Sequence, residues 1–281
     1  MKKIIAAIFA AVMTLTFTGC RRAEEAPQNG MLEYDFKEMN TDYIQLKPPT
    51  AGDKIAIIDT DYGEIRVVLY EQYAPNTVRN FIEKAEAGVY DNMPIRGTTD
   101  DMYFLTGGRD DEKGKYIGRD IDTELIKNEY SVDLWPFSGA LMAFSEKAGH
   151  SDARWFIVNN DKESLTPEAI NELKEGAQNR EDETEREKMT TMFNTFYEVG
   201  GVFGLAGENT VFGQTYLGLD VVKELTHIPS DENGEVTKIV KIKSVKISEF
   251  RDGDATDEYP REKLHSAAEL DEPNESEATS D

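Results

Sequence analysis

Short apolar or alternating runs, separated by turn-forming residues, recur along the middle of the chain. Ile55 to Asp59 and Glu64 to Tyr70 are two β-rich runs joined by Asp61-Tyr62-Gly63, which predicts a hairpin. Five more strands are predicted, the last with lysines on its solvated face: Met102–Leu105, Ala140–Phe144, Trp155–Val158, Thr210–Gln214 and Val236–Ile247. The pattern indicates a mainly β protein.

Two helices are predicted beside these strands. The first begins at Pro75, where a missing amide hydrogen costs nothing, and ends at Gly88. Its apolar face carries Val78, Phe81, Ile82 and Ala85. A second, shorter helix is predicted from Leu219 to Leu225.

Residues 161–198 have a helical rather than a β pattern. Thr166-Pro167 is expected to begin one helix and Gly176 to end it. Farther on, Met and aromatic residues follow the spacing i, i+3, i+4, i+7, i+8: Met189, Met192, Phe193, Phe196 and Tyr197. Such a stripe is favoured to pack on the protein's own core. A surface for client proteins is the alternative, since these side chains adapt to varied partners.

The N-terminus has the pattern of a bacterial export signal. Lys2 and Lys3 precede an apolar run at residues 4–17, which is short for a membrane span. The run ends in Phe17-Thr18-Gly19-Cys20, which resembles the lipobox of bacterial lipoproteins, where the cysteine is lipidated and becomes the mature N-terminus. Cys20 is the only cysteine, so an intramolecular disulfide is excluded.

We therefore expect a signal peptide at residues 1–19 and a lipidated Cys20. The expected location is extracytoplasmic, anchored to the bacterial cell membrane, or to the outer membrane if the envelope is Gram-negative. Stable anchoring needs more than one acyl chain. An ordinary secretory leader with an incidental cysteine is the alternative.

Polar segments flank the patterned region. Residues 20–50 are predicted to be a flexible tether, spanning roughly 30 Å root-mean-square. Residues 251–281 hold eleven acidic and three basic residues and are predicted to be a disordered acidic tail. The folded domain is placed at residues 51–250, with the helical insertion at about 161–198.

The charge of the chain limits its partners. The formal net charge is −24 over 281 residues, and loss of Lys2 and Lys3 with the leader makes it about −26. Such a polyanion repels nucleic acid, so no nucleic-acid function is expected. His150, His227 and His265 lack ligand spacing, so no metal site is expected.

Five stretches follow one another within about residues 55–247: "TDYGEIRVVLYEQYAPNTVRNFIEKAEAGVYDN", "MYFLTGG", "SGALMAF", "ARWFIV" and "GENTVFGQTYLGLDVVKEL". In this order they resemble the cyclophilin-type peptidyl-prolyl isomerases. The resemblance implies an eight-stranded antiparallel closed β-barrel capped by two helices. It also implies proline-containing polypeptides as partners. We further expect a monomer.

The chemistry implied by the resemblance is non-covalent. An X-Pro bond rotates over a barrier of ~18–20 kcal/mol, which falls when a protein binds the twisted amide better than the planar forms. An arginine stabilises the exposed lone pair of the prolyl nitrogen, and an apolar pocket holds the ring. No cofactor is required. Arg96 matches that arginine, and Phe156 matches the phenylalanine at the pocket floor.

Other substrate-binding candidates follow from the same comparison of positions. They are Phe104 (for a methionine), Thr106 (for a glutamine), Phe144 (or Ser145, for an asparagine), Arg154 (for a glutamine), Leu205 (for a leucine) and Asn209 (for a histidine). Tyr103 replaces a phenylalanine, Ile95 replaces a histidine and Gly204 replaces a larger residue. The polar rim of the family pocket is therefore depleted.

Two arginines have alternative interpretations. Arg154 is either a second cation of the groove or a solvated edge residue. Arg96 is followed by a turn two residues longer than the family pattern, which contains Asp100 and Asp101. Arg96 is therefore either the catalyst or a surface ion-pair partner of these acids, a pair worth no more than ~1 kcal/mol.

The sequence supports two functional hypotheses. The first is a peptidyl-prolyl cis-trans isomerase that acts on exported proteins at the cell envelope, with Arg96 as the electrostatic catalyst. The second is a catalytically weak or inactive binding module for an envelope partner, which the loss of rim residues favours.

Overall fold

The computed structural model describes residues 34–99, 102–110, 112, 124–145, 149–159, 166–232, 236–257 and 263–271. Its strands are β1 (Lys54–Thr60), β2 (Glu64–Leu69), β3 (Met93–Thr99), β4 (Tyr103–Thr106), β5 (Ile126–Lys127), β6 (Ala140–Ala143), β7 (His150–Ser151), β8 (Trp155–Val158), β9 (Val211–Leu217) and β10 (Lys241–Glu249). The strands β1-β10-β3-β4-β8-β6-β9-β2 close into an antiparallel barrel, and β5 pairs with β7. The predicted eight-stranded closed barrel is confirmed.

The described α-helices are α1 (Pro75–Glu86), α2 (Pro167–Gln178), α3 (Glu183–Val199) and α4 (Leu219–Thr226). Pro75 begins α1 as predicted, and the Glu129 carboxylate accepts the free backbone N–H groups of Asn76 and Thr77, at 3.1 and 2.9 Å. Gly176 lies inside α2 rather than at its end. None of the described helices has the length and apolar character needed to span a membrane.

One hydrophobic cluster fills the barrel. It takes a residue from each of the eight barrel strands: Ile58, Ile65, Ile95, Phe104, Leu141, Ile157, Phe212 and Ile242. A cluster shared by every strand of a closed barrel lies in its interior. Val78 and Phe81 of α1 and Val222 and Leu225 of α4 join this cluster, so both helices pack their apolar faces on the barrel.

A second cluster covers part of the outer face. This second cluster includes Val68, Met142, Phe156, Val158 and Val211. Successive side chains of a strand point to opposite faces, so β8 buries Trp155 and Ile157 inside and directs Phe156 and Val158 outward.

The helical insertion forms a third cluster with segments from elsewhere in the chain. The Met and aromatic stripe of α3 is buried in this cluster, with at most 7% of any of its side chains exposed. Trp135, Phe137 and Phe203 pack against it. The interpretation that the stripe packs on the protein's own core is confirmed, and the stripe is not an exposed client surface.

The expected tether at residues 20–50 is wrong from residue 34 onward. Phe36, Met39 and Tyr43 are buried in the third cluster. Gln45 is fully buried and links Trp135 to Gln214 of β9, donating to the Trp135 carbonyl at 2.8 Å and to Gln214 Oε1 at 2.7 Å. Isolated apolar residues among polar ones carried no periodic signal, so the segment was not predicted to be folded. Residues 20–33 lie outside the described part.

The expected disordered tail at residues 251–281 also differs from the structure over part of its length. Asp257 donates its N–H to the Tyr216 carbonyl, at 2.9 Å. Lys263 pairs with Glu198 of α3 at 2.7 Å, the His265 ring stacks on Tyr197, and Leu270 is buried in the third cluster. Both chain segments that flank the barrel domain therefore pack on the helical insertion.

Candidate active site

The strand pair β4–β8 decides which side chains share a face with Phe156. Leu105 lies directly opposite Phe156, and Tyr103 lies opposite Val158. Directly paired residues point to the same side of a sheet, so Tyr103 and Leu105 lie on the outer face with Phe156. Both are partly exposed.

Phe104 and Thr106 point the other way. Phe104 pairs with Ile157, is fully buried in the barrel interior and contacts the Trp155 ring with centroids 6.2 Å apart. Thr106 is also fully buried, and its hydroxyl donates to the Pro94 carbonyl at 3.0 Å. The structure therefore does not bring these two candidates to the surface that carries Phe156. Matching positions by sequence did not show which residues of β4 point to the outer face and which point into the barrel.

Phe156 lies at the centre of an aromatic group on the outer face. Its ring is 5.0 Å from that of Tyr103 and 6.4 Å from that of Phe144, between centroids. Leu205, in the 3-10 helix Phe203–Leu205, packs on the same cluster. Phe156 itself is only 2% exposed, so a proline ring could contact it only by displacing the side chains around it.

Arg96 occupies a β-bulge in β3. Ile95 pairs with Thr106 and Gly97 with Leu105, so Arg96 is the extra residue between two consecutive partners. A bulge of this kind redirects a side chain next to a site. One row of directly paired residues crosses β3, β4, β8 and β6; its members are Gly97, Leu105, Phe156 and Met142. At ~4.8 Å per strand, the backbone beside Arg96 lies about 10 Å from that of Phe156.

The guanidinium of Arg96 is held by two described neighbours. Its Nη1 lies 2.7 Å from Asp110 Oδ1, and its Nη2 lies 3.8 Å from Met93 Sδ. The Arg96 side chain is 11% exposed and that of Asp110 is 35% exposed. Asp100 and Asp101, the expected ion-pair partners, lie outside the described residues. The sequence did not point to Asp110 as a partner of Arg96, because it lies beyond the Gly pair and 14 residues from the arginine.

Arg154 is neither fully solvated nor isolated. Its guanidinium makes a bidentate pair with Asp152, at 3.0 and 2.7 Å, and both side chains are at most 5% exposed. The same guanidinium lies 4.6 Å from the centre of the Phe144 ring. The interpretation of Arg154 as a solvated edge residue is wrong, and the residue borders the aromatic group through Phe144.

The remaining candidates make internal hydrogen bonds. Phe144 donates its N–H to the Arg154 carbonyl at 3.0 Å and accepts at its own carbonyl from Asp152 at 3.3 Å. Ser145 donates to Asn128 Oδ1 at 3.2 Å. Asn209 donates to the Ala143 carbonyl at 3.1 Å. Burial raises the pKa of the adjacent Glu208 carboxyl.

The described residues contain no cluster of three or more His, Cys, Asp or Glu side chains that could hold a metal ion. Cys20 lies outside the described residues. Arg96 lies in a bulge beside the row that carries Phe156, and a cation near such an aromatic surface would suit the binding of a polarised amide next to an apolar ring.

Comparison with known proteins agrees with this architecture. The model of the family "Cyclophilin type peptidyl-prolyl cis-trans isomerase/CLD" matches residues 55–247. The chain belongs to the cyclophilin-type peptidyl-prolyl cis-trans isomerase family.

Individual relatives are distant. A protein of Staphylococcus saprophyticus named "Putative peptidyl-prolyl cis-trans isomerase" is 25% identical over 74% of this chain and 100% of its own length. A "Putative bifunctional phosphatase/peptidyl-prolyl cis-trans isomerase" of Streptococcus pyogenes is 30% identical over 63% of this chain, which spans only 34% of that relative. A solved cyclophilin of Cryptosporidium parvum is 16% identical, with a TM-score of 0.48, over 70% of this chain and 98% of its own.

Proposed function

We propose that this protein catalyses cis-trans isomerisation of X-Pro bonds in exported polypeptides. One observation carries the proposal: the bulge that holds Arg96 adjoins the row Gly97–Leu105–Phe156. This position, one residue from the row that carries Phe156, supports a role for Arg96 as a cation near the aromatic group of the outer face. Family membership supports the same reaction.

The mechanism needs one electrostatic contact and one apolar contact. The proline ring packs against Tyr103 and Leu105, reaching Phe156 only when the side chains around Phe156 move, and the guanidinium of Arg96 donates toward the prolyl nitrogen. The nitrogen gains a lone pair only as the amide twists, so this hydrogen bond is stronger in the transition state than in either planar form. No proton is transferred and no covalent bond is made.

Prolyl exchange in a short X-Pro peptide, measured by NMR, tests this proposal. We expect the wild type to accelerate exchange and Arg96→Ala to lose about 100-fold of that acceleration. A wild type that leaves the uncatalysed rate unchanged contradicts the isomerase function. Acceleration that survives Arg96→Ala contradicts the role of Arg96 alone.

We also propose that the protein acts outside the cytoplasm, anchored through a lipid on Cys20. The support is the sequence Phe17-Thr18-Gly19-Cys20 after an apolar leader. Cys20→Ser is expected to move the protein from the membrane fraction to the soluble fraction of the producing bacterium. Retention of the variant in the membrane fraction contradicts the anchor.

A non-catalytic binding module is the second candidate, and two observations favour it. Phe156 is 2% exposed, and both backbone groups of Phe144 already make internal hydrogen bonds. A peptide would therefore compete with bonds that the folded chain makes by itself. A folded wild type that does not accelerate prolyl exchange would support this candidate over the enzyme.

A further inference from the structure

The ion pair between Arg96 and Asp110 is a feature of this chain that family membership does not explain. Arg96 Nη1 and Asp110 Oδ1 are 2.7 Å apart, which is the length of a charge-assisted hydrogen bond. The arginine side chain is 11% exposed, so this contact fixes a cation that is largely enclosed.

The turn after β4 brings the carboxylate to the arginine. Gly107 and Gly108 have φ of 96° and 77°, a conformation that other residues rarely adopt. A Cβ on Gly107 would lie 2.9 Å from the Arg154 Cα, so the chain also passes too close to the backbone just before β8 for a side chain. Thr106, the last residue of β4, pairs with Ile95, so the chain after the Gly pair starts beside Arg96, and Asp110, 14 residues after Arg96, contacts its guanidinium.

Thr106 does not orient the arginine. It stands directly before the Gly pair, but its hydroxyl donates to the Pro94 carbonyl and its side chain is buried in the barrel. The guanidinium of Arg96 is therefore contacted by Asp110, which follows the Gly pair, and not by Thr106, which precedes it.

We propose that Asp110 is a positioning residue that holds the Arg96 guanidinium in the orientation required at the prolyl nitrogen. The inference rests on the proposed function, because it concerns the same catalytic arginine. The Asp110 carboxylate has two opposing effects on catalysis by Arg96. It restricts the rotamers of the long arginine side chain, which favours catalysis, and it lowers the positive potential of the guanidinium, which disfavours catalysis. Because Asp110 is 35% exposed, solvent screens the electrostatic effect, whereas the restriction of rotamers remains.

Substitutions at Asp110 separate the two effects. Asp110→Ala removes the hydrogen-bond acceptor and is expected to lower kcat/KM about ten-fold, mainly through kcat. Asp110→Asn keeps an acceptor oxygen without the charge and is expected to stay within about three-fold of the wild type. Glu112→Ala is the matched control, since it removes an exposed acid from the same loop, and its kcat/KM should equal that of the wild type.

A double-mutant cycle and a spectroscopic measurement exclude a merely structural role. In an Arg96→Ala background, Asp110→Ala should cause no further loss of activity. The NMR signals of the Arg96 guanidinium should show restricted rotation in the wild type and averaging in Asp110→Ala.

The inference and the proposed function fail in different ways. An active wild type with Asp110→Ala equally fast or faster overturns the inference alone, as does Asp110→Ala lowering activity in the Arg96→Ala background. A wild type without activity overturns the proposed function and, with it, the positioning role of Asp110.

Discussion

Leu105 lies directly opposite Phe156 on β4 and β8, and Phe104 lies opposite Ile157 on the other face of the same strand pair. Leu105 is partly exposed, whereas Phe104 is fully buried. One position along β4 therefore separates a residue that can touch a substrate from one that supports the barrel.

Alanine substitutions at these two positions should have opposite consequences. Phe104→Ala empties part of the barrel interior and should lower the free energy of unfolding by about 3–5 kcal/mol. Activity per folded molecule should stay close to the wild type. Leu105→Ala should cost about 1 kcal/mol of stability. Its kcat/KM should fall about ten-fold, because apolar contact with the proline ring is lost. Urea unfolding and prolyl exchange by NMR measure both quantities; a folded Phe104→Ala protein without activity would contradict the assignment of faces.

The buried pair of Arg154 and Asp152 should show strong coupling. Removing either partner leaves a charge that is at most 5% exposed without this counter-ion, which should cost about 3–5 kcal/mol of stability. The double variant Asp152→Ala/Arg154→Ala should cost clearly less than the sum of the two single variants. Urea unfolding of the four proteins measures the coupling, and additive losses would show that the pair is not formed.

Gln45 should be important for stability although it lies outside the barrel. Gln45→Ala removes two donated bonds and leaves the Trp135 N–H, which Gln45 Oε1 accepts at 2.7 Å, without this partner. The expected loss is about 1–3 kcal/mol. Gln72→Ala is the control, since that side chain is exposed, and should change stability by no more than about 0.5 kcal/mol. Equal stability of the two variants in urea would argue against a folded segment at Gln45.

The ion pair between Asp182 and Lys37 should make docking of the N-terminal segment sensitive to acid. The hydrogen bond from Lys37, and then the N–H of Glu185, lower the pKa of Asp182 below its usual value of 3.8. A lowered pKa stabilises the fold above that usual value, and the stabilisation is lost as pH falls through the folded-state pKa. Asp182→Asn keeps the acceptor oxygen that caps α3 but lacks the charge.

Thermal unfolding of the wild type and Asp182→Asn between pH 7 and acid measures this effect. The wild type should have the higher Tm at neutral pH, and the difference should vanish once Asp182 is protonated. Asp182→Ala, which also loses the cap, should be less stable than Asp182→Asn at every pH. A Tm difference between the wild type and Asp182→Asn that does not change with pH would contradict the ion pair.

The sequence pattern predicted those turns and helices that are determined by residues close together in the chain. The Asp61-Tyr62-Gly63 turn, Pro75 at the start of α1 and the helical stripe from Met189 to Tyr197 act through residues a few positions apart. The order of the family motifs then predicted the closed barrel. The strand β3 (Met93–Thr99) was not predicted from its pattern, since a proline, an arginine and a glycine interrupt the alternation.

The positions of the site residues depended on contacts between distant parts of the chain. Residue matching gave Arg96, Phe156 and Phe104 as candidates, whereas the strand pairing places Leu105, and not Phe104, on the face of Phe156. The bulge at Arg96 and the pairing of β4 with β8 set the phase of β4, and a shift of one residue reverses every side chain.

The sequence by itself predicted most of the barrel strands, the α-helices and the family to which the chain belongs, and it gave Arg96 as a candidate. The tertiary structure alone decided which face each candidate occupies, that Asp110 is a partner of Arg96, and that both flanking segments pack on the insertion. The physical reason is that hydrophobic periodicity arises from neighbours on one element, whereas pairing partners such as Gln45 and Gln214 are 169 residues apart. Such pairs become neighbours only when the barrel closes.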